Sequence, residues 1–246
     1  MSPIFSRGGN ARPFVILFPG RTGSSWLVDA LGRHPRIHAE GEILVRRSPE
    51  EQPSIWSGVW NRGSSRRAAG FKTKLKDVVD PAALASAIEE AGVVVVHMRR
   101  GDLLRLALSR MNARRLHAET GHWNVRSKAD RVAPGPVDRE ELVEAMEACR
   151  QDVEELDRFT AGIGSPIRIV RYAEILQDAD GVLERVQDWL GVPCRNLSPG
   201  VMKNSREDLR EAIPGFDELR RSFAGSRWES AFDVDPVKER PDDSGR

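Results

Sequence analysis

Phe14-Val15-Ile16-Leu17-Phe18-Pro19-Gly20-Arg21-Thr22-Gly23-Ser24-Ser25-Trp26-Leu27 decides the fold of this 246-residue chain. The first five residues are a continuous apolar run, the pattern of a strand buried on both faces. Small and polar residues follow, and then Trp26, Leu27, Ala30 and Leu31 recur at helical spacing until Gly32 and Pro35 stop them. The order is strand, loop, helix. In such a turn the backbone N–H groups and the positive end of the helix face outward together and favour an anion. Gly20 and Gly23 permit the tight turn, while Thr22, Ser24 and Ser25 add hydroxyl donors. Arg21 adds a permanent charge with a fork of donors suited to phosphate or sulfate oxygens.

The same alternation continues along the chain. Ala68–Thr73, Val93–Met98 and Ile167–Val170 read as strands. Asp80-Pro81 opens a helix as cap and first residue, with Leu84 and Ile88 on one face. A helix follows from Asp102 to about Leu116. Another starts at Asp138, with Leu142, Met146, Cys149, Val153 and Leu156 on one stripe. Val182, Leu183, Val186, Trp189 and Leu190 mark the next, closed by Gly191 and Pro193. Ser205 with Asp208 resembles a capping box for a late helix. The expectation is an α/β fold, a three-layer parallel sheet with helices on both faces. Ligands of such sheets bind outside the carboxyl ends of the strands, where the Gly20 loop and the stretch after Met98 both lie. Residues 1–12 read as a loose arm, 13–232 as a single domain and 233–246 as a disordered tail. Residues 46–67, polar and rich in Ser, Pro and Gly, read as a long mobile loop.

Composition excludes several classes. Apolar residues make up 39% and charged residues 30%, as in a soluble globular protein, and the net charge of +1 argues against nucleic acid or an anionic membrane as bulk partner. Charge is unevenly placed: residues 97–131 hold nine Arg/Lys against three acids, and residues 138–158 nine acids against three Arg, so a local basic patch is expected. Cys149 and Cys194 are too few for a disulfide framework and lack metal-ligand spacing. No apolar run approaches the roughly 20 residues of a membrane span, and the N-terminus has no apolar signal core. A cytoplasmic location is the default expectation, with no nucleic-acid partner. Oligomeric state is not legible.

The loop is not a nucleotide-triphosphate loop of the GxxxxGK[ST] type, because no Lys follows Gly23. A phosphate held here is expected without a metal. No HExxH, GxSxG or strand-following GxGxxG pattern is present.

FPGRTGSSWL resembles the 5′-phosphosulfate-binding loop of sulfotransferases that use 3′-phosphoadenosine 5′-phosphosulfate (PAPS). Many carbohydrate-directed and bacterial members carry Arg where Arg21 stands. The blocks LVDALGRHPRIHAEGEIL, RYAEIL with VLERVQDWLGVP, and MKNSREDLREAIPGFDELRRSFAGSRWE are similar to bacterial members in the family's order, over roughly residues 14–232.

The resemblance implies a P-loop-like sulfotransferase fold. It also implies PAPS as co-substrate, with 3′,5′-adenosine bisphosphate (PAP) as product and no metal. Gly20, Arg21, Thr22, Gly23, Ser24, Ser25 and Trp26 would hold the nucleotide's 5′ end. An Arg at a strand end and a Ser on the next helix would hold its 3′-phosphate. The family's Arg position, eight residues before Ser109, is Gly101 here, so Arg100 is expected to serve with Arg99 in reserve. Lys203 would close over the nucleotide. Arg21 and Lys72 would meet the charge of the transferring group. The family's cytosolic members place a His two residues after that lysine, where this chain has Lys74. Glu42 is the candidate base, with Glu40 and His38 as competitors. Trp56, Trp60 and Trp123 are candidates for a wall that stacks on the acceptor, a carbohydrate or small molecule. Two other readings stay open: a P-loop phosphotransferase of small molecules, and an inactive nucleotide-binding protein on the same fold.

Overall fold

A computed structural model describes residues 11–62, 66–123, 125, 133–200 and 208–233. Five strands, β1 (Arg12–Leu17), β2 (Ile37–Glu40), β3 (Ala68–Thr73), β4 (Val94–Arg99) and β5 (Ile167–Arg171), form one sheet in the order β2-β3-β1-β4-β5. Every pairing is parallel. The chain fills one side of β1 with β2 and β3, then crosses to the other side for β4 and β5. The carboxyl end of β1 is therefore the point where strand order reverses, and a crevice opens there.

The sheet is covered on both faces because alternate residues of each strand face opposite ways. Phe14, Ile16, Val94, Val96, Met98 and Val170 pack with helix α1 (Ser24–Gly32) and, later in the chain, α7 (Ala179–Trp189). Val15, Leu17, Phe71, Val93 and Val95 face the other way, onto α2 (Glu51–Trp60), α3 (Pro81–Glu90) and the end of α5 (Arg139–Ala161). A third cluster joins α4 (Leu103–Thr120) and α5 to the C-terminal segments α8 (Leu209–Ala212) and α9 (Phe216–Ser222). A short α6 (Tyr172–Gln177) follows β5. Asp80, Asp102 and Asp138 cap α3, α4 and α5 with their carboxylates, as their positions before the apolar periodicity predict. Asp208 caps α8 in the same way, while Ser205 lies outside the described residues.

Two neighbours set the closeness of the central strands. A Cβ on Gly70 of β3 would lie 2.1 Å from the Phe14 carbonyl oxygen and 2.5 Å from its ring. The aromatic side chain of β1 thus lies over a β3 backbone that must stay bare.

The structure corrects the reading of residues 46–67. Glu51–Trp60 is a helix, with Gln52, Trp56, Val59 and Trp60 buried. Trp60 stacks on Phe71 at 5.8 Å and donates its indole N–H to the Phe14 carbonyl. Pro53 sits in the first turn, where its missing N–H has no intrahelical partner to lose. Ile37–Glu40, not read as a strand from the sequence, forms the β2 edge.

Candidate functional site

A cleft of about 950 Å³ opens at the carboxyl ends of β1, β3 and β4, within the size range of nucleotide and substrate pockets. Its lining includes Gly20, Arg21, Gly23, Ser24, Ser25, Trp26, Glu42, Lys72, Arg100, Ser109 and Trp123. Eight Lys or Arg side chains and only two acids, Glu42 and Asp77, line it. Packing so many like charges around one space favours an anionic occupant.

The loop that opens α1 is shaped for close approach. Gly20 and Gly23 have φ of 102° and 86°, and Arg21 between them has φ of 56°. Left-handed backbone is ordinary for glycine and strained for arginine, a cost that recurs at functional sites. Gly23 is the N-cap of α1 and supplies no side-chain acceptor. The first amides of the helix are therefore left for another partner. Thr22 is the exception in this loop: it is buried, does not line the cleft, and its hydroxyl has no hydrogen-bond partner among the described residues.

Arg21 ties the site's two halves together. Its Nε donates to Ser109 Oγ at 3.2 Å, and its Nη1 donates to the Trp123 carbonyl at 3.2 Å. Arg100 donates to the Arg21 carbonyl at 3.0 Å and lies over the Tyr172 ring at 4.2 Å. Burial, followed by the charge of Arg100, presses the Arg21 guanidinium below its usual range. Two cations held this close in a desolvated site mark a place where a counter-charge belongs.

Arg100, not Arg99, joins Ser109 in the cleft. Arg99 turns to the other side of the sheet and pairs with Asp157 of α5 at 2.9 Å. Side chains alternate along β4, so the residue after Arg99 faces the cleft.

Glu42 sits between two lysines. Lys72 Nζ lies 3.1 Å from one carboxylate oxygen, and Lys74 donates a short hydrogen bond to the other. Lys72 also donates to Ser25 Oγ at 2.8 Å, and so links Glu42 to the loop that opens α1. Burial pushes the Glu42 carboxyl up, but the charges and hydrogen bonds of Lys72 and Lys74 outweigh it, and the net shift is downward. Burial drives Lys72 down in turn, against the pull of Glu42.

The other expected site residues scatter. His38 and Glu40 bond each other at 2.6 Å on the edge strand, with Arg62 beside them, and neither lines the cleft. Trp56 and Trp60 are core residues, at 3% and 5% exposure, and offer no wall to a ligand. Trp123 does line the cleft, 52% exposed and stacked on His117 at 4.1 Å. Lys203 lies outside the described residues. Sequence reasoning missed Tyr172, Arg110 and Arg114, all in the lining. Arg110 and Arg114 lie one helical turn apart, next to Ser109 in sequence, and that spacing was a usable signal. Nothing in the sequence announced the Arg100–Tyr172 contact. Among the described residues no three His, Cys, Asp or Glu side chains gather as a metal-binding group. None of the described helices is long and apolar enough to cross a membrane.

Known proteins agree with this architecture. The crystal structure of a sulfotransferase from Alicyclobacillus acidocaldarius superposes with a TM-score of 0.52 over 93% of this chain and 95% of its own, at 20% identity. The chain has the sulfotransferase fold. In sequence it is similar to Nodulation protein H of Rhizobium meliloti, 24% identical over 91% of this chain and 96% of the relative. Nodulation protein H of Rhizobium tropici is 25% identical over 91% and 94%. No family model matches. On the sulfotransferase fold the Gly20–Ser25 loop occupies the strand-order reversal, and Arg100 and Ser109 face it across the β1–β4 pair.

Proposed function

We propose that this chain is a PAPS-dependent sulfotransferase that moves a sulfuryl group to a hydroxyl of a carbohydrate or small-molecule acceptor. One observation carries the reading most: at the uncapped start of α1, Arg21 donates to Ser109 while Arg100 donates to the Arg21 carbonyl, and all three line one cleft. That arrangement suits a ligand with two separate anionic groups, and PAPS has a phosphosulfate at one end and a 3′-phosphate at the other. The loop amides, Arg21, Ser24 and Ser25 take the phosphosulfate; Arg100 and Ser109 take the 3′-phosphate. Tyr172 keeps Arg100 in place by its ring face.

The reaction follows from the central trio. The acceptor oxygen attacks sulfur in line with the bridging oxygen of the phosphosulfate. The new S–O bond forms as the bridging bond breaks, and PAP leaves with the electron pair. Glu42 takes the acceptor proton. Lys72 reaches both Glu42 and Ser25, so its charge serves the leaving oxygen as negative charge grows there. Lys74 holds the second Glu42 oxygen and fixes the carboxylate's orientation. It stands where cytosolic members of the family place a histidine base, and it leaves that work to Glu42.

The test is transfer itself. The protein, PAPS labelled at sulfur and a panel of oligosaccharides, glycosides and phenols should yield labelled product and one PAP per transfer, with chelator present. Phosphoryl transfer from ATP that requires Mg²⁺, with none from PAPS, would overturn the proposal.

A further inference from the structure

We propose that the acceptor carries an anionic group near the hydroxyl that is sulfated, and that Arg46 reads this charge from a rigid turn. The inference rests on the sulfotransferase reading and names the substrate class for that same cleft. Sheet order sets the direction of approach. The ligand's anions sit over β1 and β4, at Arg21 and Arg100, whereas Glu42 follows β2 and Lys72 ends β3. A hydroxyl that hands its proton to Glu42 therefore enters from the β2–β3 side. The groups lining the cleft there are Val45, Arg46, Lys76 and Asp77.

Most of the charge on that side is already matched. Lys74 meets Glu42 and Asp77, and Lys76 lies 3.7 Å from Asp152. Arg46 is exposed, and among the described residues no hydrogen bond or ion pair engages its side chain. Its backbone has φ of 58°, a conformation that favours glycine. Arg47 N–H closes the turn on the Leu44 carbonyl at 3.2 Å, and Leu44 is fully buried beneath it. A strained turn residue that keeps a long charged side chain over a cleft is a mark of ligand contact rather than of packing. Val45, 40% exposed beside it, adds an apolar patch.

The turn does not stand alone. Gln52, buried in α2, donates to the carbonyls of Leu44 at 3.2 Å and Asp77 at 2.8 Å, and accepts from Val79 N–H at 3.0 Å. One side chain thus braces the turn after β2 against the turn after β3. Arg46 is presented on a fixed platform, as specificity requires. A carboxylate, sulfate or phosphate on the acceptor would take Arg46 as a bidentate partner.

The experiment compares 4-nitrophenyl β-glucuronide with 4-nitrophenyl β-glucoside as acceptors for labelled PAPS, a pair that differs in one carboxylate. The glucuronide should be preferred, and salt should weaken its use alone. Arg46→Ala should raise KM for the glucuronide about tenfold, the size of one lost charge-assisted contact, and leave the glucoside and PAP binding unchanged. Arg46→Gly should behave the same while unfolding at an equal or higher temperature, because glycine relieves the left-handed backbone. Equal use of the two acceptors, an equal loss for both in Arg46→Ala, or use of neither by a protein that binds PAP would overturn the inference. Failure of the wild type to bind PAP would instead sink the sulfotransferase reading beneath it.

Discussion

Lys72 Nζ stands 3.1 Å from the Glu42 carboxylate while it donates to Ser25, at the start of α1, at 2.8 Å. One ammonium group from the carboxyl end of β3 therefore joins the proposed base to the proposed phosphosulfate site. Loss of either partner changes the other, and the chemistry of the cleft is tested most sharply here.

Glu42→Gln removes the proposed proton acceptor and keeps the shape. Turnover should fall by about 10²–10⁴-fold, the usual worth of a placed general base, with PAP affinity retained. Steady-state kinetics beside calorimetry of PAP binding separates the two. Full turnover in Glu42→Gln would remove Glu42 from the mechanism.

The Glu42 pKa is lowered from an ordinary value of 4.5, with the lysines outweighing burial. A depressed carboxylate is ionised throughout the neutral range, and the acidic limb of kcat/KM should lie below pH 4.5. Lys74→Met removes one of the two cations. The limb should then move upward, towards more basic pH. A limb that does not move would show that another group titrates there.

Arg100 and Arg99 should separate cleanly. Arg100→Ala should weaken PAP by about tenfold to a hundredfold, as expected when a charge-assisted contact to phosphate is lost. Arg99→Ala breaks a partly exposed pair with Asp157. It should cost about 1 kcal/mol of stability or less and leave PAP affinity alone. The reverse result would exchange the two arginines.

His97 sets an acid limit on the fold. It lies 2% exposed beneath α5, within 3.3 Å of Thr160 Oγ1, and burial with the nearby Arg99 charge pushes its pKa down to about 3. The unfolded chain protonates this histidine near pH 6.5, and the folded chain refuses the proton until about pH 3. Stability is therefore full above the unfolded pKa and falls as the solution is acidified, at a limiting slope of about 1.4 kcal/mol per pH unit from this group. Urea unfolding of the wild type and His97→Gln from neutral pH to pH 4 should show the shallower slope in the variant. Parallel slopes would contradict the assignment.

Much of the fold was legible because its signals are local. Phe14–Leu27 and Val93–Ser109 each carry a buried strand, a turn and a helix in one short run, and these two runs hold Arg21, Arg100 and Ser109. The β2 strand was missed because Ile37-His38-Ala39-Glu40 is a short edge with no apolar run. The α2 helix hid behind Pro53, Gly58 and its serines. Yet Gln52, Trp56, Val59 and Trp60 already had the spacing of one buried face. That omission turned Trp56 and Trp60 into acceptor candidates when they are core. The nearness of Lys72 to both Glu42 and Ser25, and of Tyr172 to Arg100, arises only when separate strands align, so no local pattern records it.

The cleft is proposed to be a metal-independent site for a nucleotide with two anionic ends. The most direct measurement is the melting temperature of the wild type with PAP, in chelator and in Mg²⁺, beside ATP and beside Arg100→Ala. A ligand bound by the folded state alone raises that temperature by mass action. PAP should raise it equally in chelator and in Mg²⁺, ATP should change it little, and the rise should be smaller in Arg100→Ala. No rise with PAP, or a rise with ATP that appears only in Mg²⁺, would contradict the proposal.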